Sequence, residues 1–270
     1  MGRLIALLYG VVAYAIFFLT FLYAIGFVGN LAVRKSIDSG TPGPVGTALL
    51  INALLLGLFA IQHSVMARVW FKERWTRVVP KPVERSTYVL LASLLLALLF
   101  WGWRPLSGDV WSVQSPAGSL ILWVLFWAGW ALVLFSTFVI DHFDLFGLRQ
   151  VWLYFRGREY RHPEFKVTTL YRYVRHPLLL GFLIAFWSTP RMSVGHLEFA
   201  VVITLYVLLA IQFEERDLVA SHGDAYARYR ESVRMLIPLP RRRAKEAPAP
   251  ADGGAAPADA GDEPREGGYL

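Results

Sequence analysis

Apolar residues run unbroken through four stretches of this chain, at 4–29, 45–66, 87–103 and 119–140, and none of them holds an Asp, Glu, Lys or Arg. A helix crosses a bilayer core of about 30 Å with roughly 20 apolar residues, so each stretch predicts a membrane span. Only Arg3 precedes the first, and its apolar run is longer than a signal-peptide core, so it reads as a retained span. A fifth region has a different pattern. Positions 178–189 are apolar, which makes a helix of roughly 18 Å at 1.5 Å per residue. Pro190, a polar break at 191–193 and Gly195 follow, and then a second apolar run at 196–213. This predicts a helical hairpin whose first arm is too short to span upright and is tilted or sheltered by protein. The expected fold is an all-α polytopic membrane bundle, with four full spans, a C-terminal hairpin and cytoplasmic amphipathic helices.

The polar segments set an orientation. The 67–86 loop carries Arg68, Lys72, Arg74, Arg77, Lys81 and Arg85, and the 141–177 loop carries seven further basic residues. The alternate loops hold only Arg34, Lys35 and Arg104. Basic residues in short loops stay on the cytoplasmic side, so both termini are expected inside, as in a bacterial inner membrane. The pattern ends near Arg241. From there the chain is rich in Ala, Pro, Gly and acidic residues and predicts a disordered tail over 241–270. Its leading triple arginine is suited to anionic lipid heads. Three regions result: a four-helix scaffold at 1–140, a chemistry-bearing region at 141–240, and the tail.

Composition supports the membrane class. Only 17% of the 270 residues are charged, whereas soluble domains carry about 25%. With no cysteine, zinc ribbons, iron–sulfur sites, thiol nucleophiles and disulfide scaffolds are excluded. No HxxxH pair suggests a metal site, and no GxGxxG suggests a Rossmann domain.

Chemistry concentrates between Asp141 and Pro238, in three clusters. The first, Asp141-His142-Phe143-Asp144-Leu145-Phe146-Gly147-Leu148-Arg149-Gln150, begins where the fourth span ends. Its ordinary reading is a solvated helix end with interface aromatics. The second is Tyr171-Arg172-Tyr173-Val174-Arg175-His176-Pro177, followed by Gly181. Pro177 suits a first helical turn, and the free amides there can hold an anion together with Arg172, Arg175 and His176. A positive-inside anchor is the alternative. The third runs from Glu214-Glu215-Arg216-Asp217-Leu218 through His222-Gly223-Asp224 to Pro238. Gly223 is a candidate helix C-cap and Asp224 a cap for the next helix, where Tyr226, Tyr229 and Val233 share a face. An amphipathic helix on the inner leaflet would have the same pattern. Carboxylates at the acyl boundary want partners, however, and the basic second cluster lies at the same end. His63 and His196 read as hydrogen-bonded helix contacts or as residues without chemistry.

Arg175-His176-Pro177, Gly181, Glu214-Glu215-x-x-Leu218, Gly223, Tyr226, Tyr229 and Pro238, in this order and spacing, resemble the C-terminal signature of the isoprenylcysteine carboxyl methyltransferase superfamily. The 142–150, 171–177, 187–197, 211–218 and 235–238 segments resemble a bacterial branch of that superfamily that methylates methanethiol. Leu179 replaces the tyrosine common after the Arg-His-Pro motif. Ile211-Gln212-Phe213 stand where the prenylcysteine enzymes have an arginine.

The resemblance implies methyl transfer from S-adenosyl-L-methionine to a small thiol, with methanethiol becoming dimethyl sulfide. It also implies a cofactor site at the cytoplasmic end of the hairpin. Arg172, Arg175 and His176, with Pro177 and Gly181, are then candidates to hold the cofactor's carboxylate. Tyr226 and Tyr229 would frame its adenosyl portion or sulfonium. Glu214 or Glu215 would bind the ribose or amine or take the thiol proton, and His142 is a second candidate base. Other acceptors, an isoprenylcysteine carboxylate or a lipid, fit the same superfamily. A non-enzymatic NnrU-like membrane protein, with His63 and His142 serving haem or a partner, shares the helix layout.

Overall fold

The computed structural model describes residues 2–161 and 169–238. The expected tail at 241–270, with its triple arginine, lies outside them. In chain order the elements are α1 (Arg3–Gly29), α2 (Val45–Ala67), α3 (Val69–Trp75), α4 (Lys81–Gly102), β1 (Asp109–Ser112), α5 (Pro116–Ile140), α6 (His142–Leu145), α7 (Leu148–Phe155), a 3-10 turn (Thr169–Arg172), α8 (Pro177–Trp187), β2 (Arg191–Ser193) and α9 (Val194–Ser232). Among the described residues five helices, α1, α2, α4, α5 and α9, are long and apolar enough to cross a membrane, and α8 is a shorter apolar helix. The chain is an all-α integral membrane bundle.

Three details depart from the sequence reading. The third span begins at Lys81 rather than at 87. Its first turn carries Glu84 and Arg85, which an apolar count excludes, although Pro82 in that turn suits a helix start. The polar break at 191–193 is a strand, pairing antiparallel with β1 through Asp109↔Ser193 and Ser112↔Arg191. The second hairpin arm runs to Ser232, interrupted only at Gly223, whose φ of 54° and ψ of −134° turn the axis. A positive φ is cheap only for glycine, so the residue read as a cap forms a hinge between two helical pieces.

The apolar elements alternate direction and so define two ends. β1 and β2 close one end. At the other lie α3, α6, α7, the start of α8 and the final part of α9. The core between them is aromatic: the Trp130 indole meets Phe21, Phe126, Phe182 and Phe186, and Phe27 packs on Phe100, Trp103 and Phe199. Two histidines inside the bundle each have a hydrogen-bond partner. His63 lies 3.0 Å from the Tyr88 hydroxyl, and His196 Nε2 lies 2.9 Å from the Phe186 carbonyl.

The contact between α5 and α8 fixes the position of the short arm. A Cβ added at Gly129 would lie 2.6 Å from the Ala185 nitrogen and 2.7 Å from the Gly181 oxygen. One added at Gly181 would lie 2.8 Å from the Gly129 oxygen and 2.9 Å from the Val133 nitrogen. The two backbones touch, as small residues allow inside membranes. Gly129→Ala is therefore expected to lower stability by about 1–3 kcal/mol through overpacking. Gly57→Ala, with nothing within 4 Å, should be neutral or slightly stabilising. Thermal unfolding in detergent, followed by tryptophan emission, would check both; equal midpoints would refute the close contact.

Candidate active site

The second and third clusters meet where α8 begins. The Arg175 backbone N–H donates to the Arg234 carbonyl at 2.9 Å, and that of His176 to the Met235 carbonyl at 3.1 Å. The segment after α9 thus lies alongside the Arg-His-Pro motif, with Val174 and Arg234 in a parallel bridge. Pro177 opens α8 and is buried, where its missing N–H costs nothing.

The centre of this junction is Glu215. Its Oε1 accepts from Arg175 Nε at 2.7 Å and from His176 Nε2 at 3.1 Å. Arg175 also donates through Nη1 to the carbonyls of Arg230 and Val233. Only 7% of the Arg175 side chain and 10% of that of Glu215 are exposed. The 20 residues at 194–213 supply roughly 30 Å of helix, the thickness of a bilayer core, so Glu214 and Glu215 are the first residues beyond it. Burial alone would raise the Glu215 pKa, but the hydrogen bonds from His176 and Arg175 outweigh it, and the carboxyl titrates below its ordinary range.

Glu214 is in the opposite situation. Its Oε2 is buried without a hydrogen-bond partner and lies 3.5 Å from His176 Nδ1. Burial pushes its pKa up to about 7, with His176 opposing and the Glu215 charge adding. Tyr171 belongs to the same neighbourhood. Burial raises its pKa, and the nearby Glu214 raises it further. The sequence reading quoted Tyr171 without giving it a role.

The other expected residues are distributed as follows. Arg172 is exposed on the 3-10 turn. Gly181 packs against Gly129, one turn into α8. Tyr226 and Tyr229 are buried with Val233, Leu218 and Val219 in one apolar cluster, and the Tyr229 hydroxyl donates to the Tyr171 carbonyl at 2.6 Å. Their shared face therefore packs inward, not along a leaflet. His142 is buried at the corner after α5, and its hydrogen-bond partners are Thr137 and Tyr14. It makes no hydrogen bond to the glutamates. Desolvation holds its pKa below the ordinary value, against the pull of Asp141.

Asp144 holds that corner together. It accepts from the Tyr160 hydroxyl at 3.0 Å and from Arg149 at 3.3 Å, and its pKa is raised, chiefly by burial. Among the described residues no group of three His, Cys, Asp or Glu forms a metal site.

The arrangement provides a carboxylate oxygen without a hydrogen-bond partner beside an ion-paired junction, with the half-buried Tyr171 near it. Such a carboxylate suits a cationic group.

Comparison with known proteins places the chain among membrane enzymes. It is 54% identical over 242 residues to a methanethiol S-methyltransferase of Mycobacterium tuberculosis, covering 90% of this chain and 99% of that protein. It is 55% identical over 239 residues to a methanethiol S-methyltransferase of Crocosphaera subtropica, covering 88% and 94%. Nurim of Xenopus laevis is 31% identical over 179 residues, covering 62% of this chain and 61% of Nurim. No family model matches, and no solved structure matches.

Removing one partner of the buried pair strands the other's charge. Arg175→Ala is therefore expected to lose about 3–5 kcal/mol, whereas the exposed Arg172→Ala loses within about 0.5 kcal/mol. Unfolding of the two variants in detergent would compare them, and an Arg175→Ala midpoint equal to wild type would show that the junction is not structural.

Proposed function

The chain belongs to the methanethiol S-methyltransferase family, and we propose from that membership that it transfers a methyl group from S-adenosyl-L-methionine to methanethiol, releasing dimethyl sulfide. It is a membrane methyltransferase. The observation that carries the reading is the identity of 54% over 99% of the Mycobacterium tuberculosis enzyme. The basic loops at 67–86 and 141–177 put the junction on the cytoplasmic face of a bacterial inner membrane, where the donor is made. The scaffold is 1–140 and the catalytic region 141–240.

Methyl transfer from a sulfonium needs alignment more than covalent help: the thiol sulfur must lie about 3–3.5 Å from the methyl carbon, in line. When bound, the cofactor supplies the electrophilic methyl group. The chain's contribution is to hold and orient. Glu215, fixed by Arg175 and His176, positions the Arg-His-Pro motif and the first turn of α8, whose free amides suit a carboxylate. Glu214, with Oε2 unpartnered, receives the cofactor's ammonium. Arg172, exposed beside the junction, adds positive charge for the carboxylate, and Tyr226 and Tyr229 form an apolar wall that the Tyr229 hydroxyl ties to the Tyr171 carbonyl. Gly181 sets the depth of α8 against α5. His142 stands at the same end as a proton acceptor.

Two tests follow. Membranes containing the protein, given S-adenosyl-L-methionine and methanethiol, should release dimethyl sulfide into the headspace, and empty-vector membranes should not. Donor binding with no product would send the search to prenyl or lipid acceptors.

The second test concerns pH. Glu214 has its pKa raised to about 7, so its carboxylate is present above that pH and is lost as pH falls through it. Affinity for S-adenosyl-L-methionine should fall up to tenfold per unit below about pH 7. Glu214→Gln should weaken binding and remove this acid dependence. Calorimetric titration from pH 5.5 to 8.5 reads both, and an unchanged dependence in the variant would take Glu214 out of the binding site.

A further inference from the structure

His142 has both ring nitrogens occupied, and the direction of its hydrogen bonds can be derived. Nδ1 lies 2.8 Å from Thr137 Oγ1, and Nε2 lies 2.8 Å from the Tyr14 hydroxyl. Thr137 Oγ1 donates its one hydrogen to the Leu134 carbonyl at 2.7 Å. With that hydrogen on the carbonyl, Oγ1 accepts from His142 and Nδ1 carries the proton. In the neutral ring Nε2 is then the acceptor, and the Tyr14 O–H donates to it. The chain Tyr14 to His142 to Thr137 is then polarised one way, and the Tyr14 oxygen keeps its lone pairs for a further donor.

What surrounds that oxygen is aromatic. The Phe138 ring stacks on His142 with centroids 4.3 Å apart, and Phe143 and Phe146 meet it edge-on. Phe17 stacks on Phe146, and Phe18 lies parallel to Tyr14. Phe138 and Phe143 are 56% and 52% exposed, so this aromatic cluster reaches the lipid-facing surface of the bundle. A small apolar thiol partitions into lipid and reaches Tyr14 without crossing a polar surface. The cluster is also level with the start of α8. α5 and α8 run antiparallel, with Gly129 against Ala185 and Gly181 against Val133. One further turn brings Thr137 level with Pro177.

We propose that Tyr14 is the residue that takes the proton from the acceptor thiol, acting as one end of a relay to His142. The proposal rests on the thiol methyl-transfer reading. As the sulfur–methyl bond forms and the donor's carbon–sulfur bond breaks, the thiol S–H proton passes to the Tyr14 oxygen. The phenolic proton moves to His142 Nε2. The products are dimethyl sulfide, S-adenosylhomocysteine and the His142 imidazolium, which now carries the positive charge that left the sulfonium and returns its proton to water.

A neutral imidazole is strong enough for this, because the attacking sulfur becomes acidic as it gains its second carbon. Burial keeps His142 neutral before the reaction. The charged groups around this corner are Asp141 and Asp144 beside His142, Arg149 from α7, which pairs with both at 3.3 Å, and Arg85 from α4, which bonds the Leu145 carbonyl at 2.7 Å. α1 and α5 contribute only Tyr14 and Thr137 to the chain.

The test uses full-length enzyme in lipid nanodiscs. Tyr14→Phe keeps the ring and removes the relay. At pH 7 its kcat with methanethiol should fall about 100-fold, with S-adenosyl-L-methionine binding by calorimetry unchanged. The lost rate should return as pH rises and the free thiol ionises on its own, and the wild-type solvent deuterium isotope effect should disappear. Thr137→Val, which takes away the acceptor that orients the imidazole, should show the same alkaline recovery and serves if Tyr14→Phe does not fold. A Tyr14→Phe enzyme with kcat within about twofold of wild type would overturn the relay. So would a loss of equal size at every pH, which is what a purely structural tether between α1 and the α5 corner gives. Wild-type protein that binds the donor and makes no dimethyl sulfide would instead overturn the thiol reading, and the relay with it.

Discussion

The backbone contact between Gly129 and Gly181 is the constraint on which the site depends. α8 has 11 residues, about 16 Å of helix, roughly half of what a bilayer core requires. Its far end is tied to β2, which pairs with β1. The contact sets its first turn level with the last turn of α5, so the short arm lacks length at the β2 end. Arg175 and His176 immediately precede that near end, at the edge of the apolar core, where unpaired charge is costly. Glu215, at the end of a full-length neighbour, reaches them there. The short arm, the close helix contact and the ion-paired junction are three consequences of one geometry.

The junction is better understood as a positioning device than as a source of stability. Desolvating an ion pair offsets most of its Coulomb attraction, and an apolar substitute of equal volume would often hold as well. An ionic cluster differs in being directional. Arg175 reaches Glu215, the end of α9 and the segment after it at once, so a stretch 40 to 58 residues further along the chain is fixed against the first turn of α8. Gly223 lets this happen, because its positive φ bends α9 back so that Tyr226, Tyr229 and Val233 bury against Leu218 and Val219. A straight helix would carry 224–238 away from Arg175. Glu214 then remains as the group whose oxygen no protein donor satisfies, a natural consequence of packing two adjacent carboxylates against one arginine and one histidine.

Much of this was legible in the sequence, for reasons that differ from element to element. The spans at 4–29, 45–66 and 119–140 match α1, α2 and α5 to within a few residues, because burial in lipid demands an unbroken apolar run. The start of α4 was missed because its first turn lies beyond the apolar region, where no such demand applies. β1 and β2 were missed because strands of four and three residues are too short for a period to show. The pairing of the basic second cluster with the glutamates was anticipated from the cost of lone carboxylates at the acyl boundary. Its internal division was not. Nothing in Arg172 and Arg175 as residue types says that one is exposed and the other buried against Glu215, since that follows from the angle at which the 3-10 turn enters α8. Tyr14 left no signal, because a tyrosine in a long apolar run looks like any other aromatic wall.

The corner after α5 shows how the sequence of the first cluster is used. Asp141 takes a φ of 150°, a strained conformation for a residue with a side chain, and its Oδ1 caps the Asp144 N–H at 3.1 Å. Without that reversal the chain would leave the bilayer along the axis of α5, and His142 would be solvated. With it, the imidazole folds back under Phe138 onto Thr137, and Phe143 and Phe146 close around it. Arg149 and Gln150 return to Asp144 and hold the turn shut. The polar residues of this segment are thus mostly occupied with keeping one histidine inside an apolar corner. A histidine kept there is desolvated, directional and reachable from lipid, conditions that a solvated helix end does not provide. The segment that reads as an interface aromatic belt is a turn built around a single imidazole.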